Sequence, residues 1–142
     1  MWPASDPTEQ RRRRRYVRET PNPFQLTERD TVLVRLVAEH RFLRSTHLSQ
    51  LTQAPHKKVC DRLAHLFHAG YLDRPPAQFE PYRSGGGSSA MVYALGNRGA
   101  RLLTGHGHTA ADVDWRRKND LVGRQFIQHA LAIADVRVAV PG

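Results

Sequence analysis

The sequence predicts a mainly α-helical protein with one small β-hairpin, an α+β fold, and three observations carry that expectation. Apolar residues recur at helical spacing in three consecutive segments between Leu26 and Gly70. Two short runs with strand character then flank a glycine-serine tip at 85–89. The last 24 residues, 119–142, return to a stripe of helical period.

The chain has 142 residues, enough for one domain that buries about 68–70% of the surface its unfolded form exposes. It carries 22 Lys+Arg against 13 Asp+Glu, a net charge of +9, and all but Lys57, Lys58 and Lys118 of the 22 are arginine. Such a field attracts a polyanion, and the arginine fork suits phosphate and guanine edges. Double-stranded DNA therefore outranks a membrane surface, for which a basic amphipathic helix or lipidation signal would be expected. The plain alternative is a solvated basic surface. One cysteine, Cys60, excludes an intramolecular disulfide framework and suits a reducing cytoplasm. The absence of a stretch of about 18 apolar residues, together with the charged N-terminus, argues for a soluble, cytoplasmic protein.

Residues 1–25 include "RRRRRYVRET", a block of like charge with little to bury, and read as a disordered Arg-rich arm. Order is expected from residue 26. Thr27 caps a first helix over about 28–40, Asp30 answers it as a short capping box, and Val32, Leu33, Leu36 and Val37 form the apolar stripe. Ser45 or Thr46 caps a short second helix that turns Leu48 and Leu51 inward, and Pro55 closes it. The same proline is preset for the first turn of a third helix.

In that third helix, "PHKKVCDRLAHLFHAG", Val59, Leu63, Leu66 and Phe67 share one side. Lys57, Lys58, Asp61, His65 and His68 project from the other, with Arg62 at the boundary. Gly70 supplies the left-handed end, and Tyr71 folds back on Leu66. Prolines 75, 76 and 81 interrupt the first strand that follows, because they cannot donate ladder hydrogen bonds. "GGGSS" reads as a hairpin tip, with a simple linker as the alternative, and not as a phosphate cradle, since a P-loop needs a Lys-Ser/Thr pair and a helix directly behind its glycines, and here the strand Met91–Leu95 follows.

Helix, helix, basic helix, hairpin is the order of a winged helix-turn-helix, here followed by a C-terminal helix. "YALGNRGARLL" is similar to the strand-to-helix passage that closes the wing in many bacterial regulators, with Gly96 where that pattern has Thr. The segments "LTERDTVLVRLVAEHRFLRSTHLSQL", "RLAHLFHAGYLDRP", "GGGSSAMVYALGNRGARLL" and "DWRRKNDLVGRQFIQHALAIADVRVAV" together resemble the replication-relaxation family of bacterial, plasmid and actinobacterial-element proteins, over about residues 25–140. The resemblance implies a winged-helix DNA-binding domain over 26–104 and an association with replication, transfer or regulation of mobile DNA. It implies no demonstrated enzyme. Two departures stand out: the third helix opens on Ala54-Pro55 instead of a strong cap, and the sequence stops at "AVPG" where relatives are expected to continue.

In a winged helix the third helix enters the major groove and the hairpin reaches the neighbouring backbone. That assigns His56, Lys57, Lys58 and Arg62 to the groove, with Asp61 accepting from cytosine. Arg83, Ser84 and Ser88 serve the wing, Ser45 and Thr46 meet phosphate with nearby backbone amides, and Arg11, Arg12, Arg13, Arg14 and Arg15 reach the backbone from the arm. For each cation the plain alternative is an exposed side chain or a salt bridge.

"TGHGHT", with His106 and His108, invites comparison with a metal-binding relaxase, but Gly105 and Gly107 make a loop of it and no tyrosine follows position 93. Cys60 with His56 is too few ligands for structural zinc. No acid/base couple or nucleophile elbow stands out, and Asp112, Asp114, Asp120 and Asp135 read as loop and helix-start residues, Asp120 suiting a helix N-terminus. No catalytic site, metal, cofactor or small-molecule substrate is assigned. Residues 105–118 read as a linker. In 119–142, Gly123, Ile127, Ala130, Leu131 and Ala134 form a stripe, read as a homodimer interface or as packing against the chain's own core. The leading function is thus duplex DNA binding. A DNA-nicking relaxase or nuclease relative and a protein-interaction winged helix are the alternatives.

Overall fold

The computed structural model describes residues 14–19, 25–79, 90–104 and 113–139. Six helices and three short strands follow one another in these segments: α1 (Glu28–His40), β1 (Phe42–Arg44), α2 (Ser45–Thr52), α3 (His56–His68), β2 (Leu72–Asp73), β3 (Val92–Leu95), α4 (Asn97–Thr104), α5 (Trp115–Leu121) and α6 (Arg124–Ala139). The strands form one antiparallel sheet in the order β1-β3-β2. The α+β expectation holds, with one strand more than a hairpin.

The extra strand is β1. Phe42 pairs with Ala94, Leu43 with Tyr93 and Arg44 with Val92. The sheet's two faces account for the pattern. Leu43, Leu72, Tyr93 and Leu95 join the core built with α1, α2 and α3, whereas Phe42, Val92 and Ala94 join a second cluster with Ile127 and Leu131 of α6. Both faces are covered, so the apolar-polar alternation that reveals a half-exposed strand is lost. Fully burying a side chain the size of Phe42 or Leu131 is worth about 1.5–3 kcal/mol. The stripe Ile127, Leu131 and Ala134 is therefore spent inside the chain, while Gly123 is exposed.

α1 begins with the expected reciprocal cap: Thr27 Oγ1 accepts from the Asp30 N–H at 3.2 Å and Asp30 Oδ2 accepts from the Thr27 N–H at 2.9 Å. Its buried face is Leu33, Val34 and Val37, with Val32 exposed. The stripe turns toward Val34 because α4 packs on that side. A Cβ at Gly99 would collide with the Tyr71 carbonyl oxygen and press on Val34, and one at Gly96 would strike the Gly70 carbonyl. The paired glycines thus let α4 lie directly on the backbone after α3.

Arg44, not Ser45 or Thr46, occupies the N-cap of α2, and its N–H donates to His47 Nδ1 at 3.1 Å. α2 ends at Gln53, whose φ of 53° makes the tight turn into Pro55 and α3. The end of α3 matches expectation. Gly70 has φ 87°, the Tyr71 N–H donates to the Leu66 carbonyl at 2.9 Å and the Gly70 N–H to that of Phe67 at 3.0 Å.

β2 is only two residues long. Beyond it the prolines prevent backbone pairing, and the Gln78 side chain substitutes: its Oε1 accepts from the Val92 N–H at 2.8 Å and its Nε2 donates to the Val92 carbonyl at 2.9 Å. α5 opens at Trp115, inside the stretch read as a linker, and Asp114 caps it by accepting the Arg117 N–H, a role expected of Asp120. Asn119 is fully buried, donating to Asp73 Oδ2 at 2.7 Å and to the Leu95 carbonyl at 2.8 Å while accepting from Arg41 at 2.8 Å. "VRVAV" continues the last helix as far as Ala139.

Candidate nucleic-acid interface

The first half of α3 presents an outward cationic ridge. His56, Lys57, Lys58 and Asp61 are exposed, whereas Val59, Leu63, Leu66 and Phe67 anchor the opposite face. The helix start has no side-chain cap and no acidic residue in its first turn. Its unsatisfied N–H groups and the positive end of the helix dipole therefore coincide with two lysines, an arrangement that disfavours the isolated helix and favours an anion placed against it.

Ser45 joins this ridge to the base of the hairpin. Its backbone N–H donates to the Met91 carbonyl at 2.9 Å, and its Oγ hydrogen-bonds His56 Nε2 at 2.9 Å. Next to it, Arg44 Nη1 donates to the Ala90 carbonyl at 3.4 Å. The point where the chain returns from 80–89 into β3 thus lies one side chain away from the first residue of α3. Ser45 is itself buried, so it holds the surface together and does not present its hydroxyl to solvent. Thr46 is exposed beside it.

Arg62 differs from the lysines. Its Nε donates to Asp30 Oδ1 at 2.9 Å, its Nη2 pairs with Asp30 Oδ2, and Nη2 also donates to the Gln25 carbonyl at 3.3 Å. Burial pushes the Asp30 carboxyl up, but Arg62 and the Thr27 N–H outweigh it and hold the group below the usual carboxylate range. The hydrogen bond to Asp30 in turn raises the Arg62 guanidinium. The residue expected in the groove is committed to tying α3 to the capped start of α1.

Of the arm, Arg14 and Arg15 are exposed, while Arg11, Arg12 and Arg13 lie outside the described residues, as do the wing residues Arg83, Ser84 and Ser88 and the histidines His106 and His108. Arg18, which falls in the stretch expected to be a disordered arm, ion-pairs with Asp73 and lies over the Phe67 ring. Two further contacts had no sequence signal. His47 Nε2 meets Asp135 Oδ1 at 2.6 Å and links α2 to α6, and Arg41 stacks between Phe42 and Trp115 at 4.5 and 5.1 Å. Cys60 Sγ lies 3.3 Å from His56 Nε2, and no cluster of three metal-ligating side chains occurs among the described residues. Nor, among those residues, is any helix long and apolar enough to cross a membrane.

The fold and this ridge define a small α+β protein with a cationic helix edge beside the stem of a hairpin. The replication-relaxation family model matches residues 34–142, and the chain belongs to that family, which associates it with replication and mobile elements. Searches of curated proteins and of solved structures returned no significant match.

Proposed function

We propose that the chain is a winged-helix protein that binds double-stranded DNA and acts in the replication or transfer of a plasmid or mobile element, or in its transcriptional control. In this reading α3 enters the major groove with Lys57 and Lys58 on phosphate or guanine edges and Asp61 accepting from cytosine. The hairpin after β2 and Thr46 contact the flanking backbone. The role would keep the protein with its DNA in the bacterial cytoplasm. The observation that carries it is the Ser45 junction, which holds the lysine-bearing turn and the hairpin base on one side of the molecule.

Arg62 is left out of the contact set because Asp30 engages it. The test is a titration of duplex DNA at several salt concentrations. Lys57→Gln/Lys58→Gln should weaken binding and reduce the slope of log K against log salt by about 0.9 per lost phosphate contact. An unchanged slope would remove α3 from the interface. Incubation with supercoiled plasmid and Mg²⁺ or Mn²⁺ addresses the alternative of a relaxase or nuclease, for which nicked product would be decisive.

A further inference from the structure

We infer that residues 14–19 form a clip that holds Arg14 and Arg15 as a second phosphate grip on the same duplex, with Arg18 as the positioning residue; the inference rests on the duplex-binding reading above. The attachment is dense for so short a segment. Arg18 Nε donates to the Phe67 carbonyl at 2.9 Å, and its Nη2 donates to the Leu72 carbonyl at 2.9 Å and pairs with the buried Asp73 carboxylate. The Tyr16 ring meets Phe79 edge-on at 5.7 Å. The Arg15 carbonyl accepts from Arg74 Nη1 at 2.6 Å, and the Glu19 N–H donates to His68 Nδ1 at 3.1 Å.

Charge makes this clip informative. Arg18 is brought to the last turn of α3 and the Arg15 backbone to Arg74, in a chain that already carries +9. Asp73 neutralises Arg18 but leaves Arg14 and Arg15 as added positive charge on the anchored segment, and a tail that served only solubility would need no anchor. Only Arg18 is turned inward. Arg14 and Arg15 remain exposed, with no ion pair among the described residues.

Their position relative to the lysines gives the clip its use. Lys57 and His68 stand at opposite ends of α3, about 17 Å apart at 1.5 Å per residue. The major groove is about 12 Å wide. A helix lying in it would have Lys57 and Lys58 toward one bordering backbone and the clip, fixed at its far end, toward the other. Fixing the arginines beforehand also removes part of the ordering cost of binding.

Salt titrations of duplex binding by the full chain test this. Arg14→Gln/Arg15→Gln should reduce the slope by about 0.9 per lost contact. Arg18→Gln should reproduce part of that loss and add little when combined with it, because both act through one grip. Since Arg18→Gln strips a partner from buried Asp73, Tyr16→Ala releases the clip without touching that carboxylate and should give the same reduction, with circular dichroism confirming the fold. If Arg14→Gln/Arg15→Gln keeps the wild-type slope while Lys57→Gln/Lys58→Gln lowers it, the clip is wrong and the duplex reading stands. If the arginine pair matters but Tyr16→Ala and Arg18→Gln do not, the positioning role fails. Absence of any duplex binding by the unaltered chain would overturn both.

Discussion

The two ends of α3 are finished in opposite ways. At its C-terminus Gly70 closes the helix, Arg98 Nη1 donates to the Ala69 carbonyl at 2.8 Å, Arg18 donates to that of Phe67, and α4 lies against the following backbone. Cations there complement the negative end of the helix dipole. At the N-terminus the cap is a proline with no side-chain oxygen, and the first turn carries Lys57 and Lys58, cations against the positive end. One end is built for stability. The other carries charge that folding does not ask for, and charge of that sign suits a polyanion.

The largest expected effect breaks the stable end. Gly99→Ala places a methyl against the Tyr71 carbonyl, which the backbone cannot sidestep, and should destabilise by about 3 kcal/mol, lowering Tm by about 10 °C in a thermal melt. A Tm within a degree of wild type would mean that α4 does not clamp this turn.

Next comes the tie between α3 and the start of α1. Asp30→Ala removes the carboxylate from an Arg62 that is a third exposed and still reaches the Gln25 carbonyl, so the loss should be smaller than for a fully buried pair, about 2 kcal/mol by denaturant titration. Because the folded Asp30 titrates below its unfolded value, it binds fewer protons when folded. Its contribution is present above the unfolded carboxylate value of about 3.9 and is lost as pH falls through the lower folded value. Asp30→Asn should therefore show a shallower loss of stability below about pH 4 than wild type; parallel acid curves would contradict the assignment.

The smallest effect on stability belongs to the exposed end. Lys57→Gln/Lys58→Gln should leave stability unchanged or raise it by up to about 1 kcal/mol, by removing cations from a helix N-terminus. The same change should weaken duplex binding. A variant that lost stability and kept its affinity would reverse the roles assigned to the two ends.

Much of this contrast was legible in the sequence. The Thr27–Asp30 cap, the Val59–Phe67 face, the Gly70 stop and the outward lysines each follow from a local rule, and each is where that rule puts it. What escaped depends on partners distant in sequence. Phe42-Leu43-Arg44 is too short to announce a strand, and with one of its apolar residues on each face it has no alternation. Arg62 looks the same in sequence as a groove-facing arginine, and only Asp30, 32 residues away, distinguishes it. Arg18 sits in a run read as a free arm until Asp73 claims it, and nothing in "WRRKND" marks Asn119 for full burial. The stripe on α6 was visible, but nothing in it named β1 and β3 as what Ile127 and Leu131 pack against.

Amide hydrogen exchange with and without duplex DNA at low salt tests the central claim most directly, because it reports contact residue by residue. Slowed exchange at residues 56–61 together with 90–92 is the predicted result, with the outer face of α6 unaffected. Protection confined to α6, or present at 90–92 and missing from 56–61, would contradict a surface formed jointly by the lysine-bearing turn and the hairpin base.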